Sequence, residues 1–239
     1  MNGEKHVELV STQITLKERL ELDSKLPDFY YVISERQFSG RGRGDHEWVS
    51  STGNLHASIL LRTLPIEPPT WAPLWVSVCT HRALVKLGAD DTRISLKWPN
   101  DLWIDGSFKV AGVLCEKKGA EIIAGIGLNL VQSPLVSSGV VPFREDQVAP
   151  EAITVLEAII EEMASLKSLE QLIAHYERHS LFKNGATISW RSNGKVLEGV
   201  VLGLGEYGEM LVESEGRKIP LYSEEVSKVI QPATTGQST

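Results

Sequence analysis

Residues 94–130 read ISLKWPNDLWIDGSFKVAGVLCEKKGAEIIAGIGLNL, and this stretch decides the fold. Ile94 to Ile104, Lys109 to Glu116 and Glu121 to Leu130 are rich in apolar and β-branched residues. The first two are joined through Asp105-Gly106, a dipeptide that favours tight hairpin turns, so the segment predicts an antiparallel meander. Pro99 donates no backbone hydrogen bond, which stops the ladder after Trp98 and pushes Asn100 and Asp101 into a bend. Asp101 then either closes an Asx turn or faces outward to hold a metal or a lysine. Lys109 begins the next strand, its stem packed between Phe108 and Val110 and its ammonium at an open end of the sheet; on an edge strand it is a solubility device instead. Gly125 and Gly127 cost stability inside a strand unless something approaches the backbone closely or the strand is bulged there. Asn129 follows at a position from which its amide can read a base edge.

Upstream, His6 to Val10 alternates as a strand that the polar run Ser11-Thr12-Gln13 ends, and Leu16 to Leu26 is helical. Phe29 to Arg36 and Asn54 to Arg62 read as the second and third strands. Between them lies Gly40-Arg41-Gly42-Arg43-Gly44-Asp45-His46-Glu47-Trp48. In an extended loop Arg41 and Arg43 project to one side, and guanidinium forks suit phosphate or carboxylate oxygens; an ordinary hairpin connection with solvated arginines is the alternative. The spacing matches neither a P-loop nor a dinucleotide fingerprint. Trp48 closes the loop where it can stack on a flat ring. Trp71, Leu74, Trp75, Val78 and Cys79 mark one face of a helix that runs to about Leu87 and stops at Gly88.

Downstream, 134–150 reads as loop and 152–166 and 169–182 as helices. From Gly185, short strands separated by Asn193-Gly194, Gly203, Gly208 and Glu215-Gly216 suggest a small barrel of about five strands, with Trp190 in its packing. The expected organisation is a larger domain over 1–183, a small β domain over 184–231 and a disordered tail over 232–239. The fold class is α+β, a mixed and largely antiparallel sheet packed against helices. A net charge of −7 argues against a general nucleic-acid footprint, and no run approaches the length of a membrane span, so a cytoplasmic protein with no DNA or membrane partner is expected. Cys79 and Cys115 read as buried unpaired thiols, and the six histidines as scattered without an i, i+4 pair or a carboxylate motif, so zinc is not expected.

Taken together, these segments resemble the biotin protein ligases. The likeness rests on the G-R-G-R loop ending at Trp48, Lys97-Trp98-Pro99-Asn100-Asp101, Lys109 to Glu116 in the form K-x-A-G-x-L-x-E, and Gly125 to Asn129 in the form G-x-G-x-N. Gly53-Asn54-Leu55, Ser58 to Arg62 and the C-terminal segment, SH3-like in that family, extend it to nearly the whole chain. The resemblance implies that ATP activates biotin to biotinyl-5′-adenylate, which then acylates a lysine on the biotin carboxyl carrier domain of a carboxylase. It implies that Ser11, Thr12, Gln13, Gln37, Arg41 and Gly42 line the biotin pocket and that Arg43 approaches the adenylate phosphate. Arg41 also belongs to the adenylate set, Trp48 covers the adenine, Asn129 binds its edge, and Lys109 bridges the biotin carboxylate and the α-phosphate. Asn100 and Asp101 support nucleotide and Mg²⁺, with Lys109, Arg43 and Asp101 as the catalytic set.

Two departures stand out. Asp45 and His46 replace a glycine and a third arginine of many bacterial members, removing a cation and adding an anion, which implies weaker adenylate retention; Gln13 replaces the usual asparagine, one methylene shorter. Ten residues before Ser11 leave no room for a helix-turn-helix, so a catalytic role alone is expected. Rival readings are a lipoate or other acyl-carrier ligase, and a non-catalytic biotin or nucleotide module. The acceptor protein and the choice between monomer and homodimer are open.

Overall fold

The computed structural model describes residues 2–44, 46–132, 141–144, 146–192 and 194–228. Asp45, Asn193, much of the 134–150 loop and the tail expected at 232–239 lie outside the described residues. The chain divides into two compact units between Leu181 and Phe182.

The first unit opens with β1 (Gly3–Leu9), α1 (Thr12–Leu22), β2 (Tyr31–Gln37), β3 (Gly40–Arg41), β4 (Glu47–Trp48) and β5 (Leu55–Leu61). It continues with α2 (Ala72–Lys86), β6 (Ile94–Lys97), β7 (Asp101–Ile104), β8 (Phe108–Lys118), β9 (Glu121–Leu128), α3 (Ala152–Ser165) and α4 (Leu169–His179). A seven-stranded sheet runs in the order β1-β2-β5-β9-β8-β7-β6, antiparallel except for the β1–β2 pair. The α+β class and the meander are as expected. Leu16 and Leu20 of α1 pack on Val32, Leu60 and Ile123 of three neighbouring strands. Trp71 and Trp75 are buried as their spacing predicts, and the Trp75 indole donates to the Leu166 carbonyl at 2.9 Å.

Several expectations need correction. The strand expected over 94–104 is two strands, β6 and β7, folded back on each other at Trp98-Pro99-Asn100, with the Trp98–Pro99 peptide cis. Asn100 fixes that corner: its amide donates to the Val113 carbonyl and its own carbonyl accepts from Val113 N–H at 2.9 Å. Ser11-Thr12-Gln13 does not end a strand. It starts α1, whose first backbone bond runs from Thr15 N–H to the Ser11 carbonyl at 3.0 Å. Phe29 has φ 59, a left-handed conformation outside any strand, so β2 begins only at Tyr31. Lys109 is not on an edge, because β8 lies between β9 and β7.

The register of β7 on β8 determines where Lys109 points. Asp101 faces Gly112 and Leu102 faces Ala111, but Trp103 faces Lys109, so Val110 is an extra residue in β8. Successive side chains alternate between faces, and without the bulge Lys109, three residues from Gly112, would point away from it. With the bulge, Lys109, Asp101 and Gly112 share one face.

The second unit contains β10 (Thr187–Ser192), β11 (Lys195–Leu204), β12 (Met210–Ser214), β13 (Arg217–Leu221) and β14 (Val226–Lys228), an antiparallel sheet in the order β13-β12-β11-β10-β14. Ile188, Trp190, Val201, Met210, Val212, Leu221 and Val226 are buried hydrophobic residues of these strands. Gly203, at φ 133, sits where the β11–β12 register shifts. Among the described residues no helix is long and apolar enough to cross a membrane.

Candidate active site

Gly112 pairs with Gly127, Ser58 pairs with Gly125, and Gly125 and Gly127 are two apart on β9, so all four lie on one face of the sheet. Three missing side chains make this face a trough, and other parts of the chain reach into it. A Cβ on Gly125 would stand 2.7 Å from Gln13 Oε1 and one on Gly127 2.3 Å from Trp48 Cε2. One on Gly112 would meet Lys109 Nζ at 3.0 Å and Asp101 Oδ1 at 3.4 Å. Of the two readings open for Gly125 and Gly127, close approach is therefore the one that holds.

One end of the trough is a neutral polar network. Gln37 Oε1 accepts from Thr12 N–H at 2.8 Å and from the Thr12 hydroxyl at 3.1 Å, while Gln37 Nε2 donates to Ser50 Oγ at 3.3 Å. The Ser58 hydroxyl donates to Gln13 Oε1 at 2.8 Å and lies 2.9 Å from Thr12 Oγ1, and Gln13 Nε2 donates to the Ile123 carbonyl at 3.0 Å. Ser11, Thr12 and Gln13 are buried, each no more than 3% exposed, so the first turn of α1 presents its polar atoms inward. The sequence reading includes Ser58 in a motif but gives it no role; its signal is a hydroxyl in a strand whose seven residues are all buried. His56 also escapes that reading. It pairs with Gly127 on the same face, and burial pushes its imidazole down to about 4.

The other end is cationic. Lys109 Nζ lies 2.8 Å from Asp101 Oδ1, an ion pair whose angle falls outside that of a hydrogen bond. Arg43 Nη1 donates to Asn100 Oδ1 at 3.1 Å. Two cations from segments far apart in the chain thus meet neighbouring residues of one corner. The glycine loop is a small hairpin: β3 and β4 pair, Gly42 N–H donates to the His46 carbonyl at 2.7 Å and His46 N–H to the Arg43 carbonyl at 3.2 Å. The N–H of Gly42 is therefore engaged within the hairpin. Trp48 anchors the hairpin on Gly127, with Lys109 Nζ 5.8 Å from its ring centre.

Arg41 is exposed and lies apart from the Arg43 end. Burial alone would raise the Glu116 carboxyl, but Lys17, Gln13 and the charge of Arg41 outweigh it and hold the group below its usual range. Asn129 is buried just beyond β9, its N–H donating to the Val110 carbonyl at 2.8 Å. Its Oδ1 and the Trp48 indole N–H are both buried without a hydrogen-bond partner, an arrangement that calls for an explanation such as a bound ligand. For a magnesium ion, which takes one or two carboxylates with waters and phosphate oxygens, Asp101 is a suitable carboxylate. The donors fit an ion delivered on a nucleotide phosphate, and not a preformed cage.

The expectation of scattered histidines is wrong. His175 and His179 are one helical turn apart on α4 and meet His81 of α2, the group of metal-ligand type found among the described residues. Cys79 and Cys115 are unpaired as expected; Cys79 is buried, but Cys115, expected to be buried too, is only partly so.

Residues 7–131 match the model of the biotin/lipoate A/B protein ligase family. The bifunctional ligase/repressor BirA of Escherichia coli is 30% identical over 82% of this chain and 65% of its own length. The biotin–[acetyl-CoA-carboxylase] ligase of Paracoccus denitrificans is 35% identical over 53% of this chain and 55% of its own. The chain thus spans about two thirds or less of these two relatives. Among solved structures, biotin protein ligase from Aquifex aeolicus in complex with biotin and ATP superposes with a TM-score of 0.77 at 25% identity, covering 95% of this chain and 99% of that one. With its family model matched across more than half its length and its sheet and trough as described, the chain belongs to the biotin/lipoate A/B protein ligase family.

Proposed function

We propose that this chain is an ATP-dependent biotin–protein ligase, with residues 1–183 as the catalytic domain. The observation that carries the reading is the meeting of Arg43 and Lys109 at the Asn100-Asp101 corner, at one end of a trough floored by glycine. Biotin lies toward the polar end, where Ser11, Thr12, Gln13 and Gln37, with Ser58, offer donors and acceptors to a ureido ring. Its valeryl chain runs over Gly125 and Gly112, and Arg41 and Gly42 border it from the hairpin.

In the first step a biotin carboxylate oxygen bonds to the α-phosphorus of ATP and pyrophosphate leaves. Two anions must approach one another, and cations already gathered at this corner offset that repulsion. Lys109, released from Asp101, bridges carboxylate and phosphate while Arg43 holds the phosphate oxygens. Trp48 and Asn129 supply a ring face and an amide edge for adenine. Asp101 would be the protein ligand of a nucleotide-borne magnesium, whose charge neutralises the departing pyrophosphate. In the second step the neutral amine of a carrier-domain lysine attacks the acyl carbon, AMP leaves and the amine loses its proton. A cytoplasmic setting, where carboxylases use such carriers, suits this reaction.

Incubation with biotin, magnesium ATP and a biotin carboxyl carrier domain should add one biotin to a single lysine, read by mass; labelling with lipoate and not with biotin would reject the assignment. Lys109→Ala should lower the rate of biotinyl-adenylate formation roughly 10²- to 10³-fold, the range for removing one preorganised donor, as measured by pyrophosphate release. Gly127→Ala should displace the Trp48 ring and raise KM for ATP about three- to tenfold, the scale of a lost aromatic contact. An unchanged KM for ATP would remove Trp48 from the adenine site.

A further inference from the structure

Away from the trough, the imidazoles of His81, His175 and His179 converge so that one ligand nitrogen of each lies within 4.8 Å of the others. Their ring centres are 4.4 to 5.0 Å apart; His81 and His175 meet edge-on at 74°, and His179 is tilted against both at 43° and 34°. His81 is fully buried and the His179 side chain is 11% exposed. His81 Nδ1 and His175 Nε2 are 3.1 Å apart. His81 Nε2 is buried without a hydrogen-bond partner, and Asp91 Oδ1 faces it at 3.6 Å and faces His179 Nδ1 at 3.5 Å.

We propose that His81, His175 and His179 bind one divalent transition-metal ion of the zinc class, with Asp91 behind two of the ligands. Bonds of 2.0 to 2.1 Å in a tetrahedron put neighbouring ligand nitrogens about 3.3 Å apart, close to the spacing of His81 Nδ1 and His175 Nε2. A helix that offers two histidines at i and i+4 places both on one face, and His81 supplies the third ligand from α2. Asp91 then has the part a carboxylate commonly takes beside metal-bound imidazoles, accepting the second ring N–H of His81 and His179 and fixing their tautomers. The fourth position is open to water. Burial, with neighbouring charges, pushes the His81 and His175 imidazoles down to about 3, which keeps them in the neutral form with a lone pair. Imidazoles favour zinc, copper, nickel or iron over magnesium, so this site is chemically distinct from the nucleotide end of the trough. The bound ion would pin α4 to α2. The proposal is independent of the ligase assignment.

The test begins with chelator-treated full-length chain titrated with cobalt(II) chloride. One equivalent should bind with the strong visible bands of a four-coordinate ion, and zinc chloride should displace it. Zinc at about a hundredfold over Kd should raise Tm by about 5 to 10 °C, and magnesium chloride should not. His179→Ala should weaken cobalt binding at least about a hundredfold and Asp91→Asn, at a half-exposed position, about ten- to a hundredfold. Where His179→Ala does not fold, spectra of wild-type chain labelled with ¹⁵N-histidine decide: zinc should shift three of the six imidazoles. Absence of stoichiometric cobalt binding, unchanged affinity in both variants, or zinc shifts at other histidines would overturn the proposal.

Discussion

The site depends on a backbone constraint: one face of β8 and β9 carries no side chain at Gly112, Gly125 and Gly127. Glycine inside a strand costs backbone entropy and loses packing, so the three positions weaken the sheet on their own account. The loss is offset because the indole of Trp48, the amide of Gln13 and the ammonium of Lys109 occupy the space that their Cβ atoms would fill. A methyl group at Gly127 alone would overlap the Trp48 ring. Trp48 in turn sets the hairpin that carries Arg43, so the floor of the sheet controls the position of a cation on a different segment.

The charged end follows from two backbone features. The corner at Trp98-Pro99-Asn100 turns β7 back so that Asp101 begins a strand beside Gly112, and the bulge at Val110 turns Lys109 onto the same face. Lys109 pairs with Asp101, and Arg43 donates to Asn100. In the proposed reaction these contacts are exchanged for contacts to the phosphate. On the proposed reading the exchange takes place on ligand binding, which leaves both cations placed before the chemical step.

Much of this was legible in the sequence and some was not. The meander, the helix bearing Trp71 and Trp75 and the antiparallel C-terminal strands follow from periodicity and turn dipeptides, which are local. Close approach at Gly125 and Gly127 was one of two readings, and choosing between them needs the tertiary partners Gln13 and Trp48. The strand expected across 94–104 failed because the apolar pattern resumes after Pro99 in the same style, concealing a reversal that Asn100 fixes through Val113. Ser11 stands at the N-cap of α1, but apolar periodicity marks the helix only from Leu16, so the polar run reads equally as the end of the preceding strand. The bulge at Val110 depends on register between strands and has no local signature. The expectation of no i, i+4 histidine pair overlooks His175 and His179, which the sequence itself carries at that spacing, while the third member, His81, is 94 residues from His175 and only the fold brings them together.

The central claim is that the glycine-floored face, with Lys109 and Arg43 at one end, is where an acyl adenylate lies. A crystal structure of this chain with a non-hydrolysable analogue of biotinyl-5′-adenylate tests it most directly. The account predicts the bicyclic ring beside Thr12, Gln13 and Ser58, the phosphate mimic within hydrogen-bonding reach of both Lys109 and Arg43, and the adenine against Trp48. An analogue bound elsewhere, or bound here with Lys109 still paired to Asp101 and Arg43 still on Asn100, would contradict it.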